Sequence, residues 1–154
     1  MKIVSGSFLL LCLAGGATNA ATADSTAREQ IDAVMQPMQK AANAHDTDRF
    51  MAGFWHDKSL VFVLNGNVIR GWNELHAQQL KWWRNGKTDV VYTPLQPTQF
   101  QTLAPGVVAT TQWLGSRRTA PDGKISTGKF AVTSIWKNLP QGWRIVYGHE
   151  SWQR

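Results

Sequence analysis

The sequence predicts one α+β domain in which helices pack on one face of a curved sheet. Three observations predict it. Apolar residues recur at helical spacing only in the part ending near Gly86, an Asn-Gly pair joins two short β-runs inside that part, and from residue 88 onward the chain reads as strands parted by Pro/Gly turns. The order is two helices, a hairpin, a helix and four long strands, with no repeat, low-complexity tract or internal linker. At 154 residues the chain fits a single domain that needs neither disulfide nor metal to hold its core.

The first helix is read from Thr26 to Ala44, where Ile31, Val34, Met35, Met38 and Ala42 share a face after Ser25 or Thr26 as N-cap. Pro37 interrupts the pattern and should kink the helix or start a new turn. "HDTDRFMAGFW" predicts a short second helix capped by Asp46 or Thr47, with Phe50, Phe54 and Trp55 on its apolar side. "SLVFVLNGNVIRG" predicts a hairpin turning at Asn65-Gly66. A third helix carries Trp72, Leu75, Leu80 and Trp83 and stops at Gly86. Strands are expected at roughly 88 to 103, 106 to 118, 126 to 137 and 142 to 152, turning at "APG", "APDG" and "LPQG".

Residues 1–23 read as a signal peptide: Lys2, an apolar stretch from Phe8 to Ala14, then small residues ending in candidate cleavage sites after Ala20 and Ala23. The stretch is shorter than the roughly 20 residues a membrane span requires. The domain proper is therefore 24–154, and the expected location is periplasmic or secreted. The only cysteine, Cys12, lies inside the signal, so the mature chain would lack thiol nucleophiles, disulfides and thiolate metal sites.

The formal charge is +6, and about +5 once Lys2 leaves with the signal. The basic residues are scattered, the densest groups being "KWWR" at 81–84 and Arg117-Arg118, so the balance speaks mainly for solvation, with a weaker pointer to an anionic ligand, rather than for nucleic-acid binding. His45, His56, His76 and His149 show no metal-ligand spacing, and the chain has no G-x-S-x-G elbow, phosphate loop or dinucleotide fingerprint. No cofactor is implied.

Three stretches, in order, carry a family resemblance: "AANAHDTDRFMAGFW", "NGNVIRGWNEL" and "SIWKNLPQGWRIVYGHES". Together they resemble the nuclear transport factor 2-like superfamily, which includes SnoaL-like proteins, ketosteroid isomerases and the association domain of calcium/calmodulin-dependent protein kinase II. The resemblance spans about residues 26–152. It implies a cone-shaped, mostly antiparallel sheet wrapped around three N-terminal helices, an apolar pocket and a homodimer formed through the open sheet face.

The resemblance also implies where a site would lie. The isomerase base falls on Val63, the helix-1 tyrosine near Met38, and the strand Gly128 to Trp136 has no carboxylate, so steroid-isomerase chemistry is rejected. By likeness to the kinase association domain, Trp83, Gln112, Ser134 and Glu150 line the pocket, with Trp55 at the end of the second helix; Val63 and Trp136 are placed there too. Where that domain has arginines, at the Gln112, Ser134 and Glu150 positions, this chain is neutral or acidic. In the last strand, alternation puts Trp143, Ile145, Tyr147, His149 and Ser151 on one face and Val146, Gly148, Glu150 and Trp152 on the other. Gly148 would leave room for a ligand. The expected function is binding of a small apolar molecule. The alternatives are an isomerase, dehydratase or hydrolase using Glu150 or His149 as acid or base, and a pure assembly domain.

Overall fold

The computed structural model of the chain describes residues 16–120 and 122–153. They form α1 (Gly16–Ala44), α2 (Thr47–Met51), β1 (Val61–Leu64), β2 (Asn67–Arg70), α3 (Trp72–Trp82), β3 (Val91–Pro94), β4 (Gln99–Ala104), β5 (Val107–Thr119), β6 (Ile125–Leu139) and β7 (Gly142–Trp152). The strands make one curved open sheet in the order β2-β1-β7-β6-β5-β3, with β4 also paired to β5. β1 runs parallel to β7, and the other pairings between these strands are antiparallel.

The core lies between the helices and the inner face of this sheet. Ile31, Met35 and Met38 of α1 and Leu75 of α3 pack with Val108, Trp136 and Ile145 from the three central strands. Each such burial contributes roughly 1.5–3 kcal/mol. Trp143 Nε1 donates to Gln30 Oε1 at 2.8 Å, which pins the start of β7 to α1. The helices connect tightly: α1 ends where His45 takes φ 55°, and Asp46 then caps α2 by accepting from the Arg49 amide at 3.1 Å. At the hairpin, Asn65 and Gly66 adopt φ 47° and 88°, the left-handed pair that the Asn-Gly sequence favours.

Three expectations need correction. The helix expected from Thr26 starts at Gly16, because the alanine-rich run before it favours the same conformation; the apolar stretch Phe8 to Ala14 lies outside the described residues. Pro37 lies inside this helix, flanked by Met35 and Met38, both anchored in the core. The strand expected from 88 to 103 is two, β3 and β4, since Pro97 lacks the N–H that a continuous ladder would use. Finally, strict alternation fails in β7. Ile135 pairs with Tyr147 but Trp136 pairs with Ile145, so Val146 is an extra residue in a β-bulge. The bulge turns Trp143 and Ile145 to the same inner side as Gly148, Glu150 and Trp152, leaving Tyr147 and His149 outside.

Candidate functional site

The register stacks the inner side chains of β5, β6 and β7 in successive rungs. Val108, Trp136 and Ile145 form the floor, followed by Thr110, Ser134 and Gly148, then Gln112, Val132 and Glu150, and finally Leu114, Phe130 and Trp152. Trp136 is 1% exposed at the bottom and Trp152 is 37% exposed at the top. Above the floor, between the sheet and the helices, lies a cavity of about 870 Å³. This is within the usual size of small-molecule sites, roughly 300–1,000 Å³.

Its walls are rich in aromatic rings. α3 and the residue after it contribute Trp82 and Trp83, the segment around α2 adds Phe50 and Phe54, and the sheet adds Phe62, Phe130, Trp136 and Trp152. Phe130 and Trp152 stack at 4.4 Å between ring centroids, and Phe50 meets Trp83 at 5.1 Å. The indole N–H groups are mostly spent inside the protein: Trp83 donates to the Tyr92 hydroxyl at 3.1 Å, Trp136 to Thr110 Oγ1 at 2.9 Å, and Trp152 to Glu150 Oε1 at 2.7 Å.

Glu150 is the only acidic residue among the described lining residues. Burial among the rings raises its carboxyl pKa from 4.5 to about 7, opposed in part by the Trp152 hydrogen bond. At neutral pH this carboxyl therefore exists in both protonation states. Tyr92 of β3 faces the same space. Burial pushes its phenol above the ordinary range despite the Trp83 hydrogen bond, and the Glu150 charge adds to the rise. An asparagine clamp holds β3 here: Asn43 Oδ1 accepts from the Tyr92 amide at 2.8 Å while Nδ2 donates to the Tyr92 carbonyl at 3.0 Å. The remaining ionisable lining groups are at the rim, where Lys40 is exposed and Arg118 lies 3.9 Å from Asp89.

The structure brings together Trp83, Gln112, Ser134, Trp136 and Glu150 around the cavity and leaves two expected residues outside it. Val63 pairs with His149 in the β1–β7 ladder and shares its outward face, while Phe62 and Leu64 point in. Trp55 is carried past the cavity, its amide bonded to the Ile145 carbonyl at 2.9 Å. His149 is exposed on the outer face, away from the cavity. Nor does Gly148 leave room for a ligand, because Phe62 fills that space: a Cβ on Gly148 would come within 2.6 Å of its ring. Sequence reading missed Tyr92 and Trp82. The alternation Val90, Tyr92 could have flagged an inner tyrosine, but only the fold brings β3 opposite Trp83.

Among the described residues, no three His, Cys, Asp or Glu side chains gather as a metal site, and no helix is long and apolar enough to cross a membrane. Comparison with known proteins gives a consistent picture. Residues 31–153 match the SnoaL-like domain. No curated protein matches the sequence. Among solved structures, a nuclear transport factor 2-like superfamily protein from Salmonella enterica serovar Typhimurium is 19% identical, with 84% of this chain and 93% of that one covered, at a TM-score of 0.72. A proposed dehydratase of the same family from Streptomyces avermitilis is 13% identical, covering 84% and 98%, also at 0.72. A ketosteroid isomerase-like protein from Erwinia carotovora is 15% identical, covering 82% and 95%, at 0.65. At such identities the likeness establishes the fold, and function has to be argued from the site.

Proposed function

Since the chain belongs to the SnoaL-like domain family, within the nuclear transport factor 2-like superfamily, we propose that it binds a small, largely apolar molecule in its cone-shaped pocket. The observation that carries this reading is the aromatic-walled cavity of about 870 Å³. Rings supply contact area at low entropic cost, while polar side chains interleaved with them, from buried Gln79 and Ser134 to Lys40 and Arg118 at the rim, can orient a bound molecule. Titration with an apolar fluorescent probe tests it. Saturable one-site binding is expected, and Val132→Trp, which fills the middle rung, should weaken it by about tenfold without changing the circular dichroism spectrum. Unchanged affinity in that variant would remove this cavity from the account.

The near-neutral carboxyl of Glu150 favours a second reading, an isomerase or dehydratase in which it moves a proton on the bound molecule. The similarity to a ketosteroid isomerase-like protein and a proposed dehydratase is compatible with it. It excludes the steroid-isomerase arrangement, because Val63 points away and the lining part of β6 holds no carboxylate. Turnover abolished by Glu150→Gln, with binding retained, would select this reading.

Export and self-association complete the proposal. Cleavage after Ala20 or Ala23 would keep the core contacts that α1 makes through Ala27 and Ile31. The hydrogen bond from Thr102 Oγ1 to Asp24 Oδ1, 2.9 Å, would survive either cut. Dimerisation through the open sheet face would cover Ile135, Tyr147 and Val63 on its outer side.

A further inference from the structure

We propose that the ligand is a lipophilic cation, a hydrophobic amine or quaternary ammonium whose charged nitrogen sits beside Glu150 among the rings of Tyr92, Phe130 and Trp152. The inference rests on the binding function proposed above and adds the chemical class of what is bound.

Three features carry it. Glu150 accepts a hydrogen bond from Trp152 but has no cationic partner among the described residues. A carboxylate in such a site is stabilised by a positive charge, whereas beside a neutral ligand burial favours its protonated form. Next, the surroundings are aromatic. Phe130 and Trp152 stack at 4.4 Å, and Tyr92 meets Phe130 edge to face at 5.9 Å. Aromatic faces attract cations through their quadrupoles, most strongly where water is excluded. Last, Trp83, Trp136 and Trp152 have already donated their indole N–H groups, so an anionic ligand would find these strong donors occupied.

The cations that share the cavity oppose this only weakly, because both are exposed to solvent that screens them. Facing the cavity from the elements packed around Glu150 are Lys40 of α1, Tyr92 of β3 and Arg118 of β5. Lys40 and Arg118 are exposed at the rim, and Arg118 lies near Asp89. Tyr92 is held neutral by its raised pKa. Protons compete with a cation for Glu150, whose carboxyl titrates at about 7 in the empty cavity. Affinity for a permanently charged ligand should therefore fall as pH drops below that value, approaching tenfold per unit, and level off above it.

The test compares (naphthylmethyl)trimethylammonium with its neutral carbon isostere, in which a quaternary carbon replaces the nitrogen, by fluorescence titration of the full chain at pH 6 and pH 8. At pH 8 the cation should bind at least about tenfold tighter than the isostere, lose most of that advantage at pH 6, and lose it at both values in Glu150→Gln. The isostere's own affinity should be unchanged in that variant, which also shows that the variant is folded. If the isostere binds as tightly as the cation, or the cation's preference persists in Glu150→Gln, the cation inference falls while the binding site stands. If neither compound binds at either pH, both fall.

Discussion

Glu150 concentrates the tension in this site, being a carboxyl held among rings by a single indole. Its raised pKa has a consequence for stability whose sign is fixed. Between the unfolded value of 4.5 and the folded value of about 7, the native state retains a proton that the unfolded state has lost. Native stability associated with this group is full below 4.5, declines as pH rises to about 7, and stays reduced above. Glu150→Gln should accordingly raise the melting temperature at pH 8 and change it little at pH 4.5, with a gain of at most about 3 kcal/mol. Equal effects at both pH values in thermal unfolding would show that the carboxyl is not destabilised by burial. Gly148 gives a second prediction at this scale. Because Phe62 occupies its Cβ position, Gly148→Ala should destabilise the fold by about 1–3 kcal/mol in urea unfolding, and a neutral outcome would mean that the ring can shift freely. Single residues also mark the limits of sequence reading. Glu150 was legible because its strand closes with a recognisable pattern, and alternation already set Trp152 on its face, whereas the burial that shifts it and the approach of Tyr92 from β3 exist only after folding.

Elements account for most of what the sequence did and did not reveal. The Asn65-Gly66 hairpin and the Asp46 cap were legible because their chemistry is local, contained within a few consecutive residues. The bulge at Val146 was not, since it appears only as a change of register against β6. Its effect is large: it lets Ile145 floor the cavity while Glu150, five positions on, still faces inward. The division of 88 to 103 into β3 and β4 was signalled by Pro94 and Pro97, but where each piece pairs along β5 depends on the whole sheet. The β3 strand yields a prediction of its own. Asn43→Ala removes both hydrogen bonds that fasten it to α1, so it should cost about 1–2 kcal/mol and speed amide exchange at Tyr92. Unaltered exchange at that amide would place the restraint elsewhere.

At the scale of the whole molecule, the curved sheet presents two faces with different roles. The inner one bounds the cavity. The outer one carries Tyr147, exposed to 37%, in register with Ile135 and Val61, and this is the surface proposed above for self-association. Tyr147→Lys places a charge there and should convert the proposed dimer to monomer in light scattering while leaving probe binding intact; a dimer that persists would put its interface on another surface. The central claim, that the cavity holds a small molecule, is tested most directly by native mass spectrometry of the mature protein isolated under mild conditions from the cells that produce it. The account predicts a reproducible added mass that is absent from Val132→Trp prepared in the same way. Bare protein in both spectra, or an added mass that survives the substitution, would contradict it.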